Sequence, residues 1–213
     1  MTMKRWMWIC LMVAVAAVTL AMGKDVDDGF AATNVPDDVF ARMQGKSYKR
    51  ECRLKRSDLR YLVVWHVDAE GRRHKGEIVC HKTIAADLLD IFRELYKEKY
   101  PIERIRLIDD YDGDDDKSMR DNNTSAFNYR RVAGTRKLSK HSMGMAIDIN
   151  PLYNPMVKRG KVSPDISRRY ADRSLPFEYK ITKDDPCVRA FKKHGFRWGG
   201  DWKSLKDYQH FEK

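Results

Sequence analysis

Two ionisable residues interrupt an apolar stretch in the second half of the chain. In SKHSMGMAIDIN, residues 139–150, His141 and Asp148 lie on either side of Gly144. Side chains alternate between the faces of a strand, so these two converge only if the chain bends between them. Glycine permits such a bend. The pair is therefore expected to form either a structural hydrogen bond or two ligands of a metal ion.

A second pair lies near the carboxyl end, where KDYQHFE contains Asp207 and His210. With His141 and Asp148, His210 completes a set of two imidazoles and one carboxylate. Three such ligands leave a position for water on zinc, which is the pattern of a catalytic site. Asp207 is then a free carboxylate that exchanges protons with that water and the leaving amine. The alternatives are a purely structural set and the iron(II) site of oxygenases, which uses the same ligand types.

Both segments resemble motifs of one enzyme family. SKHSMGMAID fits the signature S-x-H-x-x-G-x-A-x-D, and WGGDWKSLKDYQHFE resembles the closing segment, of the zinc D-alanyl-D-alanine carboxypeptidases. That family includes VanY-like enzymes and the related L-alanyl-D-glutamate endopeptidases. The resemblance extends over about residues 58–212. It implies a Hedgehog/DD-peptidase-like fold, a Zn2+ cofactor and peptidoglycan peptides as substrates.

The resemblance also implies roles for individual residues. His141, Asp148 and His210 match the zinc ligands, and Asp207 matches the general base. An arginine upstream of the first motif holds the substrate in the family, and here NNTSAFNYRR offers Arg130 or Arg131, of which we prefer Arg130. The usual G-Y-R-S form is absent from this region.

Three further residues are predicted to contact substrate: Ser139, Trp198 and Trp202. A structural role is the alternative for each, since a loop hydroxyl can hold its own backbone and tryptophans pack readily in cores. The remaining histidines, at positions 66, 74, 81 and 194, are predicted to lie at the surface.

The elements around the motifs indicate an α+β fold with a mainly antiparallel sheet. A β-hairpin is predicted from residues 58–67 and 75–82, which are rich in β-branched and aromatic residues. Apolar residues from Ile84 to Leu95 recur at helical spacing, and Asp185 with Pro186 starts a second helix. The acidic segment 109–118 is predicted to be a solvated loop, and residues 151–180 are predicted to be loop-like.

The amino terminus predicts export. Lys4 and Arg5 precede an uncharged stretch that ends in small residues, which is typical of a signal peptide over residues 1–23. An uncleaved anchor is the alternative. A leader over residues 24–57 and a zinc peptidase domain over residues 58–213 are expected to follow, in the periplasm or cell envelope.

Charge and cysteine content limit the partners and the chemistry. The net charge of +11 becomes +9 when Lys4 and Arg5 leave with the signal peptide, which favours anionic envelope polymers as partners. Export and scattered basic residues argue against nucleic acid. An oxidising compartment allows one disulfide and one free thiol, with Cys52 and Cys80 as the candidate pair, and three free thiols are the alternative. A wall-binding module that keeps the metal site but lacks turnover is the non-enzymatic alternative.

Overall fold

The computed structural model describes residues 28–213, so the predicted signal peptide lies outside the described residues. The helices are α1 (Asp37–Met43), α2 (Ala85–Lys97), α3 (Asp115–Arg120) and α4 (Pro186–Lys193). The strands are β1 (Ala31–Asn34), β2 (Leu59–Val67), β3 (Arg73–His81), β4 (Arg104–Ile105), β5 (Asn123–Thr124), β6 (Ala146–Asp148), β7 (Met156–Lys158), β8 (Lys161–Ser163), β9 (Arg197–Trp198), β10 (Lys206–Asp207) and β11 (His210–Glu212). Short 3-10 helices span Arg56–Asp58, Ile108–Tyr111, Lys140–Met143, Asp165–Ala171 and Gly199–Asp201.

The strands form three antiparallel three-stranded sheets and one parallel pair. The sheet orders are β1-β2-β3, β10-β7-β8 and β6-β11-β9, and β4 pairs with β5. Together with the four α-helices, this confirms the predicted α+β class and is consistent with the fold that the family resemblance implies. Among residues 28–213, no helix has the length and apolar character needed to cross a membrane.

The predicted hairpin is the long β2-β3 pair, and it separates two hydrophobic clusters. Leu62 and Val64 face the main cluster under α2, whereas Leu59 and Val79 face a smaller cluster under α1. Both faces of β2 therefore contact a hydrophobic cluster, which explains why apolar residues lie on both of its faces. Helix α2 buries Leu88, Ile91, Phe92 and Leu95 as the periodicity predicts.

The start of α4 follows the sequence signals closely. Asp185 is the N-cap and accepts a hydrogen bond from the Cys187 backbone N–H at 2.8 Å, and Pro186 is the first helical residue. The buried face of α4 packs in the main cluster through Val188 and Phe191.

Residues 28–57, the described part of the predicted leader, pack on the rest of the chain. Strand β1 pairs antiparallel with β2, and α1 buries Val39 and Met43 in the smaller cluster. The division of the chain at residue 57 stays a prediction.

Four local predictions are wrong. The acidic segment contains a 3-10 helix and the start of α3 rather than only a solvated loop. Region 151–180 contains the β7-β8 hairpin and a 3-10 helix. Cys52, Cys80 and Cys187 are all free thiols, so the predicted disulfide is absent from the described residues. His66 is buried, with its Nδ1 2.7 Å from the Ile102 carbonyl oxygen.

Candidate metal centre

The predicted bend between His141 and Asp148 is formed by a 3-10 helix that ends at Gly144. Ser139 is the N-cap of this helix, Lys140–Met143, and its Oγ accepts a hydrogen bond from the His141 backbone N–H at 3.2 Å. Gly144 has a φ of 63°, and a Cβ there would lie 2.6 Å from the backbone nitrogen of His81. Glycine is therefore required both for the left-handed conformation and for the close approach of β3.

Strand pairing brings the third residue to the same place. His210 on β11 lies directly opposite Asp148 on β6, and the next pair is Phe211 with Ile147. Directly opposed residues share a face of the sheet, so the polar pair points to one side while Ile147 and Phe211 enter the main hydrophobic cluster on the other. A bend at residues 208–209, between β10 and β11, accommodates the spacing of Asp207 and His210.

His141, Asp148 and His210 form a buried cluster whose ligand atoms all lie within 4.8 Å of one another. The His141 Nε2 atom is 3.2 Å from His210 Nδ1 and 3.3 Å from Asp148 Oδ2. His210 Nδ1 is 2.9 Å from Asp148 Oδ1. Ligands about 2.0–2.2 Å from a tetrahedral zinc lie about 3.3–3.6 Å apart, so this donor set needs only a slight expansion to hold such an ion.

The opposite ring nitrogens of both histidines have acceptors that fix the ligand atoms. His141 Nδ1 lies 2.6 Å from the Ala126 carbonyl oxygen, and His210 Nε2 lies 3.4 Å from Glu212 Oε2. Donation of a proton on that side leaves His141 Nε2 and His210 Nδ1 as the ligand atoms, as in metal-ligating histidines, once a metal ion displaces the Nδ1 proton that His210 donates to Asp148. Glu212 was not predicted as a site residue, although its position two after His210 on one strand places both on the same face.

The electrostatics of the cluster favour positive charge within it. Burial alone would raise the pKa of Asp148, but His141 and His210 hold it well below its usual range. Burial alone would lower the pKa of His210, but hydrogen bonds with Asp148 and Glu212 raise it to about 10. A cation between these side chains is therefore stabilised by the surrounding carboxylates.

Asp207 lies beside the cluster, and one oxygen of its carboxylate is unpaired. Its Oδ1 atom is buried and has no hydrogen-bond partner among the described residues. Burial raises the pKa of Asp207 to about 6 although His210 opposes the shift, and the carboxylate of Asp148 adds to it. Gly199 makes room for this strand, since a Cβ there would lie 2.5 Å from the Asp207 carbonyl oxygen.

A cleft of about 960 Å³ opens onto the cluster and is lined by the three candidate ligands, Asp207, Arg130, Ser139 and Trp202, among others. The Trp202 ring is 5.3 Å from the His210 ring between centroids. Trp198 is different, because its ring is buried in the main hydrophobic cluster and its Nε1 donates to the Tyr208 carbonyl oxygen at 2.9 Å. The structure thus corrects the predicted cleft position of Trp198: core packing describes it, and substrate contact by Ser139 and Trp202 stays a prediction.

Arg130 is held in the cleft by Asp115, the first residue of α3. The two side chains form an ion pair, and the other Asp115 oxygen accepts a hydrogen bond from Asn128 Nδ2 at 2.8 Å. The sequence gives no local signal for this pair, because α3 and residue 130 meet only in the folded chain.

The fold and the cluster define a class of site. Two imidazoles and one carboxylate converge in an open cleft, next to the carboxylate of Asp207, whose pKa is raised. This is the arrangement of a candidate hydrolytic metal centre.

Comparison with known families agrees with this class. Residues 133–213 match the family model described as D-alanyl-D-alanine carboxypeptidase, which confirms the resemblance found in the motifs. The matched segment contains His141, Asp148, Asp207 and His210, whereas Arg130 precedes it. No solved structure matches the chain.

Proposed function

We propose that this protein is an exported zinc peptidase that hydrolyses a peptide bond in the stem or cross-link of peptidoglycan. One observation carries the proposal: His141, Asp148 and His210 converge in a cleft that also contains the carboxylate of Asp207, whose Oδ1 atom has no hydrogen-bond partner among the described residues. The family match supports peptide hydrolysis as the reaction class. Both D-alanyl-D-alanine carboxypeptidase and L-alanyl-D-glutamate endopeptidase activity fit this proposal.

The donor set fits zinc by its chemistry. His141 Nε2, His210 Nδ1 and one Asp148 oxygen would hold the ion, and the donor spacing of 2.9 to 3.3 Å needs little change. Imidazole and carboxylate are ordinary zinc ligands, and three of them leave an open position. A zinc ion held there would supply Lewis-acid chemistry and activate water at neutral pH.

Asp207 acts as the general base in this proposal. With a pKa of about 6 it is mostly ionised at neutral pH, and it can return a proton to the leaving amine because that pKa is close to the working pH. Its free Oδ1 atom has no competing hydrogen bond to break before it accepts a proton from the attacking water.

Arg130 supplies a fixed positive charge for the substrate carbonyl or carboxylate. Its ion pair with Asp115 restricts the guanidinium to the cleft wall, so its orientation is set before substrate arrives. An Arg130→Ala enzyme with the turnover of the unmodified protein would exclude this role.

Peptidoglycan as the substrate and export as the location rest on several features. The matched family model is described as D-alanyl-D-alanine carboxypeptidase. The net charge of +11, which becomes +9 when Lys4 and Arg5 leave with the signal peptide, favours association with acidic wall polymers. Export rests on the apolar segment from Trp6 to Met22, which lies outside the described residues.

Zinc titration tests the proposal together with a peptidase assay on soluble peptidoglycan peptides. The unmodified protein should bind one equivalent of zinc and release peptide products only when zinc is bound. His141→Ala and His210→Ala variants should lose both properties, and His81→Ala, which changes a histidine outside the cluster, should keep them. A protein that binds zinc and wall but releases no product would favour the binding module instead.

A further inference from the structure

The β7-β8 hairpin forms one wall of the cleft, and its side-chain order is fixed by strand pairing. Met156 lies opposite Ser163, and Lys158 lies opposite Lys161, so these four side chains share one face. All four line the cleft together with Arg159 of the turn. Val157 and Val162 occupy the opposite face and do not line it.

The same sheet contains the proposed general base. Strand β10 pairs with β7, and Asp207 lies directly opposite Met156. Ser163, Met156 and Asp207 therefore form one row across the sheet, and Lys161 and Lys158 form the next row on the same face. Residues two apart on a strand are about 7 Å apart. The two lysines thus lie about 7 Å from the row of Asp207, which is the length of about two residues of an extended peptide.

The positive charge of this wall is not neutralised by the protein. Lys158, Arg159 and Lys161 are exposed, and none of them forms an ion pair within residues 28–213. The other acidic groups of the cleft are engaged, since Asp115 pairs with Arg130, Asp116 with Arg120 and Glu212 with Arg197.

The positions of the three cationic side chains destabilise the β7-β8 hairpin when no anion is bound. Like charges placed directly opposite each other on neighbouring strands repel, as Lys158 and Lys161 do. Arg159 adds a third charge and has a φ of 48°, an uncommon conformation for a residue with a side chain. An anionic group bound between these side chains would offset the repulsion.

We propose that Lys158, Arg159 and Lys161 form a subsite for a carboxylate of the peptide substrate, about two residues from the bond that is cleaved. This inference rests on the proposed function and specifies its substrate class as acidic peptides. The three residues determine specificity and do not touch the reacting atoms. Their contribution is expected in KM, because the charge on the distant carboxylate does not change during hydrolysis.

The test compares the cleavage of two peptidoglycan stem peptides by the zinc-loaded protein. The two peptides are identical except at one group. One peptide has a free carboxylate about two residues from the bond that is cleaved, and the other has a carboxamide at that position. We expect the unmodified protein to favour the acidic peptide about fivefold to tenfold in kcat/KM, as two exposed ion pairs allow. The preference should fall as salt is raised, because exposed charges are screened.

A matched pair of variants isolates the hairpin. Lys158→Gln/Lys161→Gln should lose most of the preference through a higher KM for the acidic peptide. Lys97→Gln/Lys183→Gln removes the same charge from exposed lysines outside the cleft and should keep the preference.

The outcomes that contradict the subsite can be distinguished from those that contradict the proposed function. Equal cleavage of both peptides by the unmodified protein, or an unchanged preference in the Lys158→Gln/Lys161→Gln variant, would overturn the subsite and leave the proposed peptidase function intact. Cleavage of neither peptide would overturn the proposed function and the subsite with it.

Discussion

Asp148 and His210 lie directly opposite each other on the antiparallel strands β6 and β11, with Asp148 Oδ1 2.9 Å from His210 Nδ1. The pairing register therefore fixes the separation of two candidate ligands before any metal is considered. His141 reaches the same point from a different local structure, a 3-10 helix closed by Gly144. A rigid sheet and a glycine bend together preorganise the donor set, which is what a stable metal site requires.

Zinc should stabilise the fold through these three residues. A ligand that binds only the folded state at 100 times its Kd raises the free energy of unfolding by about 2.7 kcal/mol. We expect this increase in urea unfolding of the zinc-loaded protein relative to the chelated protein. Asp148→Ala and His210→Ala should abolish it. Equal stabilisation of the Asp148→Ala variant would show that zinc binds elsewhere.

Replacement of Asp207 should separate metal binding from turnover. Asp207→Asn has nearly the same shape but accepts no proton, so peptide hydrolysis should fall about 10²-fold to 10⁴-fold. Zinc affinity should change little, since Asp207 is not one of the three clustered ligands. The measurement is kcat at saturating zinc, with the metal content of each sample determined in parallel. An Asp207→Asn enzyme with nearly full kcat would exclude this residue as the general base.

The sequence predicted the parts of the site that depend on local signals. His141, Gly144 and Asp148 lie in one segment, and the glycine indicated the bend that the structure contains. The β2-β3 hairpin and the N-cap of α4 were predicted for the same reason, because turn and cap residues act over a few positions. The roles of the site residues stay predictions.

Features that depend on distant contacts could not be predicted in this way. The Asp115–Arg130 ion pair joins α3 to a separate loop. The cationic β7-β8 hairpin lies next to Asp207 because β7 pairs with β10 across a long connection. Burial of His66 follows from the approach of the segment at Ile102, which no local pattern indicates. Trp198 was ambiguous because a large aromatic ring suits both a cleft and a core.

Arg173 should be essential for the stability of region 151–181. Its guanidinium is half-buried and donates to the carbonyl oxygens of Tyr153 and Ile181 at 2.8 Å each and to Asn154 Oδ1 at 3.0 Å. Burial lowers its pKa to about 10, so it stays charged at neutral pH. Arg173→Met leaves these acceptors unpaired and should lower the free energy of unfolding by about 2 to 4 kcal/mol.

Urea unfolding of Arg173→Met measures this loss, and Arg168→Met, at an exposed arginine, is the matched control. Arg173→Lys should also be destabilised, because an ammonium cannot reproduce the planar donor set. A loss below about 0.5 kcal/mol in Arg173→Met, within the range of ordinary surface substitutions, would contradict this role.

Buried His66 should make stability depend on pH in the acid range. Burial lowers its pKa to about 4, with His74 adding to the shift while the Ile102 carbonyl and Asp68 oppose it. The pKa in the unfolded chain is about 6.5. Between these values the unfolded state binds more protons, so the free energy of unfolding falls as pH falls from 6.5 to 4, by up to about 3 kcal/mol.

Comparison with His66→Asn isolates this contribution, because every other titrating group is shared. The difference in unfolding free energy between the two proteins should change by about 3 kcal/mol between pH 7 and pH 4, in favour of the variant at low pH. Parallel pH profiles for the two proteins would show that His66 is not the group that titrates.

Mass spectrometry of peptidoglycan fragments incubated with the purified protein tests the central claim most directly. The samples are the zinc-loaded protein, the chelated protein, the chelated protein with zinc restored, and zinc-loaded Asp207→Asn. We predict one defined peptide-bond cleavage in the zinc-loaded and restored samples only, and the mass of the product identifies the bond. Intact fragments in all samples, despite zinc bound at one equivalent, would contradict the assignment of this protein as a peptidase.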